Sequence, residues 1–313
     1  MNTAGPGEPF RTHRLSVTGG HTLFVAEYGS PSGTPLVVLH GGPGSGCDPG
    51  ITRLFDPDRW RVILPDQRGA GRSEPAGGIE NNTTPLLLDD LELIRRHLGI
   101  ERWFLHGGSW GVALVLLYVR AHPERWSGIL LRGTFLARRC DRDWFFGPDG
   151  VARLFPKEYA AFLEPLEPAE RDAPLAGYHT RLRAGDLDAA QRWSGWESRV
   201  VAGLHGEVHP SSADRTRLLA RARIASHYAV NDYFLGPEGV PLELPALAGR
   251  PCRIVHGRHD LVCPFGGAAL LSQCWPGSEL QVIEDAGHIA ADPAMAAALT
   301  TAARELWNAV DPS

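Results

Sequence analysis

Ser109 lies within Gly107-Gly108-Ser109-Trp110-Gly111, a G-x-S-x-G spacing that can turn a serine hydroxyl into a nucleophile. The apolar run 103–106 before it predicts a buried strand, and the Ala- and Leu-rich run 112–120 after it predicts a helix. In a sharp strand–turn–helix, the positions two before and two after the serine must lack bulk, and Gly107 and Gly111 meet that need. The serine then projects at a helix N-terminus, where backbone N–H groups favour developing negative charge. A serine also needs a base to take its proton, and the base needs an orienting carboxylate. Asp260 follows the strand-like run 253–256, and His288 follows the strand-like run 280–283, so both belong at carboxyl ends of strands, where open α/β sheets place their sites. Asp232 and Asp285 compete with Asp260 for the carboxylate role. Asp232 falls in a stretch without strands, and Asp285 is too close to His288 in sequence to reach its far nitrogen easily. A tetrahedral intermediate needs two N–H donors. Trp110, the residue after the serine, can supply one, and the glycine-rich loop His40-Gly41-Gly42-Pro43-Gly44 can supply the other.

The elements that must position these groups follow from the apolar pattern. Residues 13–17 and 22–28 are β-rich and joined by a glycine turn, which predicts an N-terminal hairpin. Residues 36–39 and 62–64 read as strands, 86–98 as a helix with Leu87, Leu91, Ile94 and Leu98 on one stripe, and 129–131 as a further strand. Strands alternating with helices predict a mostly parallel α/β sheet. From about 134 to 247 the alternation stops. That stretch is rich in Trp, Arg and Pro, with helical runs at 157–162, 187–196 and 216–228, and reads as a helical insertion. Strands resume at 253–256 and 280–283, and a helix over 294–310 closes the chain.

Composition narrows the function. At 313 residues there is length for a sizeable core, and a net charge of −5 disfavours a nucleic-acid surface. No apolar run reaches the roughly 18 residues of a membrane span. Residues 1–14 are polar and lack the apolar core of a signal peptide. Five scattered cysteines suit reduced thiols better than a disulfide framework, and no Cys/His spacing suggests a structural zinc. The expectation is a cytoplasmic protein with neither a nucleic-acid nor a membrane partner.

Several longer motifs carry a resemblance. His40-Gly41-Gly42-Pro43-Gly44, Asp66-Gln67-Arg68-Gly69-Ala70-Gly71-Arg72-Ser73, the elbow around Ser109, His122-Pro123-Glu124-Arg125, Trp193-Ser194-Gly195-Trp196-Glu197, Ala222-Arg223-Ile224 and His256-Gly257-Arg258-His259-Asp260 stand in this order. Together the set resembles the proline iminopeptidase family of α/β-hydrolases, from about residue 10 to the C-terminus. The resemblance implies an α/β-hydrolase fold, with a catalytic domain at 1–133 and 246–313 and a helical cap domain at 134–245. It implies Ser109, Asp260 and His288 as the triad and the N–H groups of Gly42 and Trp110 as the oxyanion hole. It also implies removal of one N-terminal residue, typically proline, without a metal or other cofactor. Glu197 matches one of two family glutamates that hold the substrate amine. Phe135, Trp144 and Phe145 match an aromatic pocket, and Cys263 matches a cysteine near the site.

One family feature is missing. The second amine-binding glutamate normally follows Ala-Arg-Ile, and here that position is Ala225. The expected activity is therefore a serine aminopeptidase or amidase on a substrate with a free amine, such as a short peptide whose N-terminal residue is proline or another small residue. A single aminoacyl group could instead be stripped from a biosynthetic intermediate such as a macrolactam precursor. A serine esterase of the same fold is the remaining enzymatic alternative. A catalytically idle binding protein is disfavoured by the intact Ser, Asp and His set.

Overall fold

The computed structural model describes residues 7–204, 206–208 and 214–309. Four strands come first: β1 (Arg11–Val17), β2 (His21–Gly29), β3 (Thr34–Leu39) and β4 (Trp60–Pro65). Then follow α1 (Thr84–His97), β5 (Trp103–Gly108), α2 (Trp110–Ala121) and β6 (Trp126–Arg132). Five helices come next: α3 (Arg139–Phe146), α4 (Pro156–Leu163), α5 (Pro174–Arg183), α6 (Leu187–Ala202) and α7 (Arg215–Val230). The chain closes with β7 (Cys252–Gly257), α8 (Gly266–Cys274), β8 (Glu279–Ile283) and α9 (Pro293–Asn308). The expected hairpin is β1–β2, antiparallel with Val17 opposite His21. The C-terminal helix starts one residue earlier than expected, and the end assigned to it, residue 310, lies outside the described residues. The same holds for part of the polar N-terminal stretch and for the outer domain limits at 1 and 313.

The strands form one sheet in the order β1-β2-β4-β3-β5-β6-β7-β8. β1, β2 and β4 pair antiparallel, and every pairing from β4 through β3 to β8 is parallel. Alternation along the strands sorts the core onto two faces. Val37, Leu39, Leu105, Ile129 and Leu131 face a cluster with α1 and α2, whereas Leu36, Val38, Phe104 and Leu130 face α9 through Met295, Leu299 and Leu306. Each fully buried aliphatic side chain contributes about 1.5–3 kcal/mol, so this two-sided burial holds the sheet rigid beneath its loops.

Among the described residues no strand lies between β6 and β7. The helices there pack on aromatic rings: Phe162 stacks on Tyr178 with centroids 4.4 Å apart, and Phe146 meets Trp193 at 4.8 Å. These rings are continuous with the cluster over α1 and α2. Glycine lets two of the junctions approach closely. A side-chain carbon on Gly77 would meet Ala220 of α7 at 2.8 Å, and one on Gly44 would meet the Arg221 carbonyl at 3.0 Å. The helical segment thereby sits directly on the loops that follow β3 and β4.

Candidate active site

Ser109 occupies the turn between β5 and α2 with φ 56° and ψ −122°. A non-glycine residue in that region is strained by about 1–3 kcal/mol and persists only where its surroundings enforce it. Here they do. A side-chain carbon on Gly107 would stand 2.5 Å from the Gly111 carbonyl, and one on Gly111 would stand 2.0 Å from the Leu39 carbonyl. The Ser109 N–H donates to the Arg132 carbonyl at 3.0 Å, which ties the turn to the end of β6.

Asp260 and His288 come from the loops after β7 and β8. Nδ1 of His288 lies 2.7 Å from Oδ2 of Asp260. Oδ1 of Asp260 accepts the N–H groups of Val262 (2.9 Å) and Cys263 (2.8 Å), so both carboxylate oxygens are committed. Burial opposes the charge on Asp260. The adjacent His288 imidazole and its hydrogen bond outweigh that, with help from His256 and the Cys263 N–H, and hold the carboxyl below its ordinary range. The two competing carboxylates are elsewhere. Asp232 is ion-paired with Arg142 and, at 3.2 Å, with Arg139. Asp285 is exposed and makes no hydrogen bond to His288.

Among the described residues the Ser109 hydroxyl has one hydrogen-bond partner, the Cys263 sulfur at 3.8 Å. Burial pushes the Cys263 thiol up, and the nearby Asp260 charge adds to it, so the sulfur is a neutral neighbour of the hydroxyl. Asp260, Cys263 and His288 place ligand-type atoms within 4.8 Å of one another. The His288–Asp260 bond and the two backbone donors already use those carboxylate oxygens, which makes the group a hydrogen-bond set and not a free cation cage. The histidine is also held through its backbone, because Nη1 of Arg132 donates to the His288 carbonyl at 2.7 Å.

The loop after β3 faces the same serine. A carbon on Gly41 would meet Cβ of Ser109 at 3.2 Å. Neither the Gly42 N–H nor the Trp110 N–H has an acceptor among the described residues, and Trp110 opens α2, where the first N–H groups have no helical partner. Gln67 holds the two donor segments together. Its N–H donates to Nε2 of His40 at 3.0 Å, its amide nitrogen to the His40 carbonyl at 3.0 Å, and its Oε1 accepts from the Trp110 indole at 3.0 Å. Burial holds the His40 pKa down, so its ring is neutral and can accept from Gln67 while Nδ1 donates to the Gly41 carbonyl.

A cavity of about 270 Å³ opens over Ser109 and His288. Phe135, Phe145, Glu197 and Ala225 line it, as do Gly42 and Arg132. Trp144 does not line it and corrects the expectation for that position. Neighbouring residues of a helix are turned by about 100°. Phe145 and Phe146 of α3 face the cavity, while the Trp144 indole donates to the Leu261 carbonyl at 2.8 Å and braces the Asp260 loop. Glu197 accepts from the Trp193 indole at 2.9 Å and pairs with Arg221 at 3.2 Å.

A strained serine, a histidine bonded to a buried carboxylate and the loop of Gly42 meet around one cavity, an arrangement that suits acyl transfer. A model of the alpha/beta hydrolase fold family matches residues 34–293. A probable proline iminopeptidase of Leptolyngbya boryana is 41% identical over 302 residues, covering 94% of this chain and 93% of that protein. A proline iminopeptidase of Neisseria gonorrhoeae is 38% identical over 304 residues, covering 96% of this chain and 97% of that protein. The chain belongs to the proline iminopeptidase family. Among solved structures, a proline iminopeptidase of Mycobacterium smegmatis superposes with a TM-score of 0.61 at 21% identity, covering 96% of this chain and 100% of that one. An esterase of Exiguobacterium antarcticum also reaches 0.61, at 18% identity over 94% of this chain and 98% of that one. At such identities these two speak for the fold alone.

Within this proline iminopeptidase family member, sequence reasoning overlooked Tyr233, Gln67 and Arg221. Tyr233 has φ 53° between Asp232 and Phe234, both also at positive φ. This left-handed turn presses the Tyr233 ring onto Trp110 (5.6 Å) and Phe135 (5.2 Å) at the cavity wall. No local residue pattern signals such a turn. Gln67 stood in a quoted motif, and only its three contacts reveal what it connects.

Proposed function

We propose that this chain is a serine aminopeptidase that removes a single N-terminal residue, proline or another small one, through an acyl-enzyme. In this reading Ser109 is the nucleophile, His288 the base and Asp260 the group that orients and charges the imidazole. Nε2 of His288 takes the Ser109 proton as Oγ attacks the carbonyl, and returns it to the leaving nitrogen. The N–H groups of Gly42 and Trp110 hold the oxyanion. Water then hydrolyses the ester by the same steps, with His288 again as base. The observation that carries the reading is the 2.7 Å bond between His288 and Asp260 on the wall of the cavity that holds both Ser109 and Glu197.

Glu197 takes the substrate ammonium, Phe135 and Phe145 the side chain of the departing residue, and residues 134–245 act as a cap domain over the catalytic domain. A half-buried carboxylate gives an ammonium a charge-assisted hydrogen bond, which an ester without an amine does not need. Among the described residues no helix is long and apolar enough to cross a membrane, and the five cysteines are free thiols. Both features suit a short-peptide substrate met in the cytoplasm.

The test compares aminoacyl arylamides with aryl esters that lack an amine. Turnover of the amides, lost when the amine is acetylated, supports the reading; turnover of the esters alone removes it. A second reading has one observation in its favour. Ala225 lines the cavity where family members carry a second carboxylate, which leaves room for a larger aminoacyl compound such as a biosynthetic intermediate. Screening Pro, Ala, Gly and Leu arylamides beside a bulky aminoacyl amide separates the two.

A further inference from the structure

Glu197 does not stand alone in the cavity. Its Oε2 is 3.2 Å from Nη2 of Arg221, and both side chains line the space over Ser109. The Arg221 side chain is 41% exposed, against 14% for Glu197, so the guanidinium reaches toward solvent while the carboxylate stays inside. Its charge also bears on the buried His40 imidazole, at the base of the oxyanion loop. A second cavity, of about 320 Å³, adjoins the first and shares Ser45 and Arg221 with it. Arg217, one helical turn before Arg221 on α7, lines it together with backbone from Gly44, Gly69 and Gly71. No acidic side chain lines this second cavity among the described residues.

We propose that this second cavity is a subsite for an anionic leaving group, the free carboxylate of a dipeptide or very short peptide, with Arg221 as its main partner and Arg217 one helical turn away. The inference rests on the aminopeptidase reading and deepens it. A substrate ammonium arriving at Glu197 competes with Arg221 for the same carboxylate. The displaced guanidinium then needs an anion, and its planar fork matches a carboxylate. Two extended residues span at most about 7 Å, so the charged ends of a dipeptide are within reach of an acid and a base that neighbour each other once their ion pair has parted. The Glu197–Arg221 ion pair is thereby exchanged for two pairs with one zwitterion. A neutral C-terminus leaves the displaced arginine without that second partner.

The experiment couples the N-terminal residue best accepted as an arylamide to glycine, with either a free carboxylate or a carboxamide, and compares kcat/KM. The wild type should favour the carboxylate by about tenfold or more, the factor that corresponds to about 1.4 kcal/mol, and the preference should shrink as salt is raised. Arg221→Gln should reduce the ratio to within about twofold, Arg221→Lys should keep part of it, and Arg217→Gln should lower it by a smaller factor. A ratio near one in the wild type, or an undiminished ratio in folded Arg221→Gln and Arg221→Lys, overturns the subsite while leaving the aminopeptidase reading in place. Cleavage of neither glycine compound, with the arylamide still turned over, also overturns it. Failure on every amine-bearing amide counts against the aminopeptidase reading itself.

Discussion

A side-chain carbon on Gly111 would stand 2.0 Å from the carbonyl oxygen of Leu39. The turn that carries Ser109 is therefore seated directly on the end of β3, and the next residues after Leu39 form the loop that carries Gly41 and Gly42. Ser109 and that loop are set relative to each other by one backbone contact, which only a missing side chain permits.

Gly111→Ala should accordingly damage both fold and activity. The clash is with backbone, so relief requires moving α2 away from β3. Overpacking of this kind costs about 3 kcal/mol, at the upper end of its usual range. Urea unfolding should show that loss, and the remaining folded fraction should turn over more slowly because the Trp110 N–H has shifted. An unchanged midpoint with normal kcat would mean the turn is not held as described.

Ser109→Ala should abolish turnover, lowering kcat by roughly a thousandfold or more, while thermal unfolding stays within about 1 kcal/mol of the wild type. Labelling by a fluorophosphonate should vanish with it. Asp260→Asn should keep the fold but lower kcat by about three to four orders of magnitude, since the imidazole loses its orientation and the charge that stabilises its protonated form. If kcat in Ser109→Ala stayed within about tenfold of the wild type, another nucleophile would have to be sought.

Glu197→Gln should raise KM for amine-bearing substrates by about tenfold to a hundredfold, as expected for one lost charged hydrogen bond of about 1.5–3 kcal/mol. The rate of fluorophosphonate labelling, which needs no amine, should change little. Equal effects on both would make Glu197 a structural residue held by Trp193 and Arg221.

Glu92 offers a stability test remote from the site. Arg95 hydrogen-bonds its carboxylate from Nε (2.7 Å) and Nη2 (2.8 Å), and the Tyr118 hydroxyl from α2 donates at 2.6 Å. The Arg95 bonds, against some burial and with Tyr118 adding to them, bring the Glu92 pKa down to about 2. A carboxylate whose folded pKa is depressed stabilises the fold above its unfolded pKa of about 4.3, and that contribution is lost as pH falls through the folded value. Glu92→Gln should thus cost about 1–2 kcal/mol at pH 7, and the difference from the wild type should narrow steadily below about pH 4. Urea midpoints measured at pH 7 and pH 3 decide it; a pH-independent difference would assign the effect to packing alone.

Much of the site was legible from residue order. The elbow depends on neighbours a few positions apart, so the small residues it needs at 107 and 111 are visible as letters. Strands announce themselves as short apolar runs, and loops at their carboxyl ends mark where Asp260 and His288 must emerge. The insertion after β6 was visible because alternation ceased there. Its internal arrangement was not visible, since helices that bury aromatic rings on several sides tell little about which ring meets which.

Sequence alone determined the sheet, the serine turn, the chain order of Ser109, Asp260 and His288 and the alanine at position 225, because each is written in local spacing or in a single residue type. Tertiary structure decided the rest. It set His288 against Asp260 and not against Asp232 or Asp285, turned Trp144 toward Leu261, bent Tyr233 into the cavity and brought Arg221 against Glu197. Those outcomes depend on how α3, α6 and α7 pack across one another. The direction of a side chain from a helix is set by the partner that helix meets, and that partner is remote in sequence.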